Sequence, residues 1–191
     1  FSVFLSKIKT TPLNVTKLNK IFEKIMVQSE KDSSKNKSYD NAPKEIKLEF
    51  WYPNGVPEQL QILKHNIFEM DISKNEKNFF KLCFSLTQRK SSFQKRSIYK
   101  MYRVKEEKRD EHKPDVFGIF SKICKTNIEK MDDFFKATKK SSGKAITILG
   151  DTRNVENEFK KIPEKILDNG KVHLVVTSPP YGDHGTTVAY G

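Results

Sequence analysis

Two short apolar runs near the end of the chain constrain its fold most. Residues 145–149 read AITIL, and residues 172–176 read VHLVV. The segment between them carries apolar residues at helical spacing. An apolar strand, an amphipathic helix and a second apolar strand form the pattern of a parallel βαβ unit whose strands are buried on both faces. The sequence therefore predicts an α/β fold, with a parallel sheet within residues 141–191.

Polar residues follow each predicted strand. Gly150-Asp151 comes directly after the first run, and the sequence TSPPYGD, residues 177–183, comes directly after the second. Ligands of open α/β sheets bind beyond the carboxyl ends of the strands. We therefore expect a site where Asp151 and Ser178 meet, while a plain surface turn after a strand is the structural alternative for the second segment.

The string LVVTSPPYGDHGTTVAYG, residues 174–191, resembles the catalytic motif of the S-adenosylmethionine-dependent DNA amino-methyltransferases of restriction–modification systems. The serine form of this motif is more typical of enzymes that modify cytosine N4, and the aspartate or asparagine form of those that modify adenine N6. The resemblance implies a partial Rossmann-like sheet and methyl transfer to an exocyclic base amine. Cytosine N4 is favoured; adenine N6 methylation and a non-catalytic nucleic-acid-binding module remain alternatives.

The resemblance also implies roles for four loop residues. An exocyclic amine is a poor nucleophile because its lone pair is delocalised into the base. The Ser178 hydroxyl and the Pro179 carbonyl would accept hydrogen bonds from it and free the lone pair. Pro180 would fix the loop, and Tyr181 would stack on a base that has been flipped out of double-stranded DNA.

S-adenosylmethionine is the methyl donor that the resemblance implies, with Asp151 accepting from its adenine amine. The alternative for Asp151 is a cap for the following helix. The sequence contains no Phe-x-Gly-x-Gly loop, through which the backbone would approach the cofactor. The opening FSVFLSKIKTTPL resembles the stretch that follows the second strand in this family. We therefore expect a fragment that is inactive alone, and a cognate restriction endonuclease could accompany the complete enzyme without being a required binding partner.

A basic segment without acidic residues extends from Lys81 to Lys105. Its Lys100-Met101-Tyr102-Arg103 resembles a Lys-x-Tyr-Arg pattern of the family. Lysine plus arginine number 36 against 24 acidic residues, and the resulting charge of +12 favours a polyanionic partner. A solvated lysine-rich edge strand is the alternative. The predicted DNA-contacting residues are Arg89, Lys90, Lys95, Arg96, Lys100 and Arg103.

Helical spacing of apolar residues dominates the rest of the chain. It predicts a helix after Pro12, a second after Pro57, a third over about 75–88 and a fourth after Pro114. A polar loop is predicted over 29–45, a strand end at 50–52 and a strand over 97–104. We assign residues 1–12 to the edge of the catalytic domain, 13–140 to a mostly helical insert and 141–191 to the catalytic βαβ unit.

Cysteine and histidine spacing gives no metal-ligand pattern, and we predict no metal site. Cys83 and Cys124 lie among apolar residues and are predicted to be small buried hydrophobes in a reducing compartment. No apolar run approaches the ~20 residues that span a membrane, and the sequence does not open on a signal peptide. These features predict a cytoplasmic protein with no membrane partner.

Overall fold

The computed structural model describes residues 1–44, 46–95, 102–141, 143–163 and 174–176. The chain divides into two compact units, Phe1–Thr147 and Ile148–Gly191. The helices of the first unit are α1 (Ser2–Lys9), α2 (Val15–Ser34), α3 (Leu48–Trp51), α4 (Val56–Phe68), α5 (Lys74–Ser91) and α6 (Val116–Thr138), with a 3₁₀ turn at Glu106–Lys108. The described part of the second unit contains a 3₁₀ turn at Thr152–Asn154 and the short helix α7 (Val155–Phe159).

The core of the first unit lies between α2, α4, α5 and α6, and α1 packs against α5. Each helix contributes apolar residues from one face, as their three- and four-residue spacing predicts. The fully buried side chains include Leu18, Ile25, Leu63, Phe80 and Phe120. Cys83 and Cys124 are also completely buried and are free thiols, as predicted. This packing fixes the exposed faces of α4 and α5, which form the candidate site.

Short polar side chains begin three of the long helices. The Asn14 side-chain oxygen Oδ1 accepts from the Lys17 amide at 2.9 Å, and the Asp115 carboxylate accepts from the Gly118 amide at 2.9 Å. At α5, Ser73 and Glu76 form a reciprocal capping box. These bonds satisfy amides that lack partners within the helix, which is why each helix begins where it does.

A buried carboxylate, Asp32, organises the loop between α2 and α3. Its side chain is 1% exposed and pairs with the Lys37 ammonium at 2.7 Å. It also accepts from the Tyr39 hydroxyl at 3.0 Å and from the Asn66 amide on α4 at 3.1 Å. Burial by itself would raise the pKa of Asp32, but the hydrogen bonds, led by that from Lys37, outweigh it and lower the pKa to about 2.

The same loop is attached to α4 beyond Asp32. The Tyr39 ring stacks on His65 with a centroid distance of 3.8 Å. The Asn41 amide donates to the Gln61 carbonyl at 3.0 Å, and the Lys64 ammonium donates to the Asn41 carbonyl. The loop is therefore held against α4 by polar and aromatic contacts, and it forms one wall of the site described below.

The predicted α/β fold is wrong for the residues that the structure describes. They contain no strand and no sheet, so the partial Rossmann-like sheet is not formed among them. Ile146 and Leu149 of the first apolar run are 42% and 80% exposed. In the second run, residues 174–176 are 76–85% exposed. An apolar run becomes a buried strand only when neighbouring strands pair with it, and none does so in the described residues.

Other predictions at the level of single elements also changed. The aromatic run at 50–52 ends the short helix α3 and is not a strand end. Helix α2 continues to Ser34, into the predicted loop, because buried Ser29 and Asp32 are satisfied by hydrogen bonds to Asn66. Of the predicted strand over 97–104, residues 97–101 lie outside the described residues, and Arg103 forms an isolated antiparallel bridge.

No helix within the described residues is long and apolar enough to cross a membrane.

Candidate nucleic-acid interface

The last turn of α5 presents part of the basic segment. Arg89 and Lys90 are exposed there, and Lys95 is exposed just beyond it. The Ser92 hydroxyl donates to the Arg89 carbonyl at 2.8 Å, which satisfies one of the final carbonyls of the helix. Cations at a helix C-terminus interact favourably with the helix dipole. The end of α5 is therefore both a stable terminus and a positively charged surface.

Backbone hydrogen bonds bring the distant Arg103 to this surface. The Phe93 amide donates to the Trp51 carbonyl at 2.8 Å, which ties the segment to α3. The Val104 amide donates to the Phe93 carbonyl at 2.7 Å, and Gln94 forms an antiparallel bridge with Arg103. Two parts of the predicted basic segment thus converge beside α3 and the end of α5.

The Arg103 guanidinium lies on an aromatic ring. Its central carbon is 3.6 Å from the centroid of Phe50 and 5.9 Å from that of Phe93. Its Nε is buried and has no hydrogen-bond partner in the described part of the chain. Burial, followed by the charge of Arg109, lowers the pKa of Arg103. Arginine suits this position because its planar guanidinium can stack on an aromatic face.

A cavity of about 590 Å³ opens between α3, α4, α5 and the loop that precedes α3. One face of α4 lines it with Pro57, Leu60, Gln61, Lys64 and Phe68. One face of α5 lines it with Lys81, Phe84, Ser85, Gln88 and Arg89. The remaining wall is mostly apolar and includes Leu48 and Trp51 of α3, Tyr52 just after it, and Asn41 and Ile46 of the preceding loop. The volume lies in the range of small-molecule sites, about 300–1,000 Å³.

The charged residues that line this cavity are all cations: Lys64, Lys81 and Arg89. The described lining residues include no carboxylate. The Lys81 ammonium lies 4.2 Å from the centroid of Phe68, and the Lys64 ammonium lies 5.9 Å from it. Phe68 itself is 37% exposed. The cavity therefore combines aromatic surface with positive charge, a combination that suits an anionic ligand with a planar ring.

Asn41, one of the lining residues, has an unpaired side-chain oxygen. Its Oδ1 is buried and has no hydrogen-bond partner among residues 1–44, 46–95 and the other described segments. The oxygen and nitrogen of this amide are distinguished by its surroundings, because the Gln61 carbonyl requires the donor. A buried acceptor without a partner is costly.

Asp151, the predicted cofactor contact, lies in the second unit. Its carboxylate pairs with the Arg153 guanidinium at 2.7 Å and accepts from the Arg153 amide at 2.9 Å. The hydrogen bond from the Arg153 side chain, followed by that from its backbone, lowers the pKa of Asp151. The Arg153 amide belongs to the 3₁₀ turn that follows Asp151. Asp151 therefore caps this turn, which is the alternative role that the sequence allowed.

The remaining predicted site residues lie outside the described residues. They are Ser178, Pro179, Pro180 and Tyr181 of the loop, and Arg96 and Lys100 of the basic segment. Of the predicted DNA contacts, Arg89, Lys90, Lys95 and Arg103 are described, and the structure brings their backbone segments together at the end of α5. Among the described residues, no group of three or more histidine, cysteine and acidic side chains is arranged to hold a metal ion.

The cavity is the feature that sequence reasoning missed. A signal for it existed on α5, where residues 81, 84, 85 and 88 have the spacing of one helix face. A cation, an aromatic ring, a hydroxyl and an amide follow one another on that face. Residues 57, 60, 61, 64 and 68 form the equivalent face of α4. The loop wall could not have been found in this way, because its position depends on contacts with α2 and α4.

The chain is 32% identical to the Type II methyltransferase M.MvaI of Kocuria varians over 195 aligned residues. This similarity supports the assignment of the chain to a DNA methyltransferase family. The alignment covers 100% of the chain and 41% of that relative, so the chain spans less than half of the relative's length. No family model and no solved structure matches the chain. The similarity extends through the helical unit as well as the TSPPYGD segment.

Proposed function

We propose that this chain is part of a DNA methyltransferase of a restriction–modification system. The complete enzyme transfers a methyl group from S-adenosylmethionine to the exocyclic amine of a base in double-stranded DNA, and cytosine N4 is favoured. The observation that carries the proposal is 32% identity to a Type II methyltransferase along the whole chain. The segment TSPPYGD supports it, because its residue types suit an amine acceptor.

In this proposal the target base is flipped out of the duplex and held by the loop after residue 176. The Ser178 hydroxyl and the Pro179 carbonyl accept hydrogen bonds from the target amine. Pro180 fixes the loop, and Tyr181 stacks on the base. Neither proline donates a backbone hydrogen bond, so the carbonyl oxygens of this loop face no local competition from those amides.

Asp151 is proposed to accept from the adenine amine of S-adenosylmethionine. Both its carboxylate and its partner Arg153 are exposed, at 49% and 89% of the side-chain surface. Exposed ion pairs are weak because water competes for both charges. The ion pair with Arg153 therefore does not prevent the Asp151 carboxylate from binding a hydrogen-bond donor of a ligand instead.

DNA phosphates are proposed to contact the basic surface formed by Arg89, Lys90, Lys95 and Arg103, together with Arg96 and Lys100. Three of the described cations are exposed, and Arg103 is held beside them by the bridge to Gln94. Phosphate contacts fix the register of a protein on DNA without reading its sequence. A role for the helical unit in positioning the protein on DNA follows from this placement.

A Ser178→Ala substitution in the protein at its full natural length tests the proposal. Transfer of labelled methyl groups from S-adenosylmethionine to duplex DNA should fall by at least about a hundredfold, as is usual when a group that acts on the reacting atom is removed. DNA affinity should be retained. Identifying the methylated base then decides between cytosine N4 and adenine N6.

A non-catalytic nucleic-acid-binding module is the second candidate, favoured by the exposed cations at the end of α5. The same experiment separates it from the first. A module would bind DNA in both forms and would transfer no methyl group in either. Absence of transfer by the unsubstituted full-length protein, with DNA binding intact, would overturn the enzymatic proposal.

A further inference from the structure

We propose that the cavity between α3, α4 and α5 binds a nucleotide, with its base against the aromatic wall and its phosphate at the lysines. All of the residues that line this site belong to the first unit, and none belongs to the target-base loop proposed above. It goes beyond the proposed function and rests on it only for the source of the nucleotide, an extrahelical base of the bound DNA.

The aromatic wall selects for a planar ring. Trp51, Tyr52, Phe68 and Phe84 all line the cavity. Aromatic side chains stack on bases of any identity, and each stacked base typically contributes about 1–3 kcal/mol. An aliphatic ligand would fill the same space without this directional contact. The composition of the wall therefore favours a base over an aliphatic chain.

The charges select for an anion. Lys64, Lys81 and Arg89 line the cavity, and no carboxylate among the described lining residues neutralises them. A neutral apolar peptide would leave these cations without a counter-charge. A phosphate attached to a base would pair with one or more of them while the base occupied the wall. Ring and charge together identify a nucleotide as the occupant.

The loop wall of the cavity is held in place before a ligand arrives. The Asn41 amide donates to the Gln61 carbonyl. Tyr39 of the same loop donates to Asp32 and stacks on His65. The cavity is therefore preorganised on this side.

The tryptophan in the wall provides the measurement. Trp51 is the single tryptophan of the 191-residue chain, so all of the tryptophan fluorescence arises from a residue in the wall of this cavity. We would titrate the chain with deoxyadenosine monophosphate, deoxyadenosine and deoxyribose 5-phosphate. Deoxyadenosine monophosphate should quench Trp51 with saturation, and should bind about tenfold more tightly than either part, because only it satisfies both the wall and the cations.

Two lysine variants locate the binding. Lys81→Gln should weaken the binding of deoxyadenosine monophosphate by about tenfold, the usual effect of removing a charge-assisted hydrogen bond. Lys130→Gln, an exposed lysine on α6 away from the cavity, should bind like the unsubstituted chain. Circular dichroism would establish that both variants retain their helices. The Ser178→Ala chain should also bind like the unsubstituted one.

Three results would overturn the proposal. They are no saturable quenching up to about 1 mM nucleotide, equal affinity of the Lys81→Gln and Lys130→Gln variants, or equal affinity for the nucleotide and for deoxyribose 5-phosphate. None of these results bears on methyl transfer by the full-length protein. If the Ser178→Ala chain lost nucleotide binding, the nucleotide would bind at the target-base loop, and the cavity would be rejected as its site.

Discussion

The amide nitrogen of Asn66 lies 3.1 Å from the carboxylate of Asp32 and joins α4 to α2 inside the helical unit. The same amide donates to the Ser29 hydroxyl at 3.2 Å. Asp32 additionally receives Lys37, Tyr39 and the Gln28 amide. A carboxylate with this many donors fixes the start of the loop that continues to the cavity wall, so its charge controls both stability and the shape of the candidate site.

Replacing Asp32 with asparagine should lower the free energy of unfolding by about 2–3 kcal/mol. The NH2 group of the new asparagine would replace an oxygen that accepts hydrogen bonds, so it would face other donors. The Lys37 ammonium would also lose its counter-charge. Urea unfolding followed by circular dichroism would measure the change. Asp71→Asn is the matched control, because Asp71 is exposed and should change stability by less than about 0.5 kcal/mol. Equal effects of the two substitutions would contradict the role of the cluster.

The contribution of Asp32 should also depend on pH. Its pKa is about 2 in the folded protein against 3.8 ordinarily, so its stabilisation is complete above about pH 4 and is lost as the pH falls through 2. The stability difference between the unsubstituted chain and Asp32→Asn should therefore narrow by about 2 kcal/mol over this window. Glu76, whose pKa is also lowered, is present in both proteins and cancels. A difference that is independent of pH would reject the assignment.

The capping box at the start of α5 gives a third prediction. The Ser73 hydroxyl accepts from the Glu76 amide at 3.4 Å, and the Ser73 amide donates to the Glu76 carboxylate at 3.0 Å. Ser73→Ala should lower the free energy of unfolding by about 1 kcal/mol. Ser73→Thr retains the hydroxyl and should recover most of the loss in urea unfolding. An alanine variant as stable as the threonine variant would count against the cap.

The helices could be predicted from the sequence because their apolar residues repeat locally. The stripe that begins at Leu18 and the one that begins at Val116 each encode a buried face within a single segment. The aromatic run at Trp51 is too short to show a period, so its strand prediction was wrong. The run at 145–149 has the composition of a buried strand, but composition cannot supply the neighbouring strands that burial requires.

The candidate site was predictable only in part, for the same reason. The basic character of Arg89 and Lys95 is visible in the sequence as a run without acidic residues. The contact between Arg103 and Phe50 is not visible in the sequence, because 53 positions separate the two residues. They are brought together by α3 and by the hydrogen bonds of the Phe93 backbone. The cavity likewise depends on the Asp32 cluster, which positions a loop whose own composition suggests only solvation.

Salt dependence tests the basic surface in the full-length protein. Replacing Arg89 and Lys95 with alanine should reduce the slope of log affinity for duplex DNA against log salt concentration by about 2, since each lost phosphate contact removes about 0.9. Lys122→Ala with Lys125→Ala on α6 is the matched control, because it removes the same charge from another exposed face. Fluorescence anisotropy at several salt concentrations would measure both. Equal slopes for the two double variants would reject the assignment.

A substitution at Arg103 can separate the structural role of its stacked guanidinium from the role of its charge. Arg103→Lys keeps the positive charge but loses the planar group that lies 3.6 Å from the Phe50 centroid. We expect a lower melting temperature because the aromatic cluster that links α3 to the Gln94 bridge is weakened. The salt slope of DNA binding should change little, because the slope follows charge and not shape.

Arg89→Lys is the control for this substitution, because Arg89 is exposed and stacks on no ring in the described residues. It should leave both the melting temperature and the salt slope unchanged. Differential scanning calorimetry gives the melting temperature of each variant, and fluorescence anisotropy gives the salt slope of its DNA binding. If Arg103→Lys melts like Arg89→Lys, the Phe50 stack does not stabilise the fold. If its salt slope falls instead, Arg103 contacts phosphate through a geometry that lysine cannot reproduce, because a bidentate guanidinium contact is lost while the charge remains.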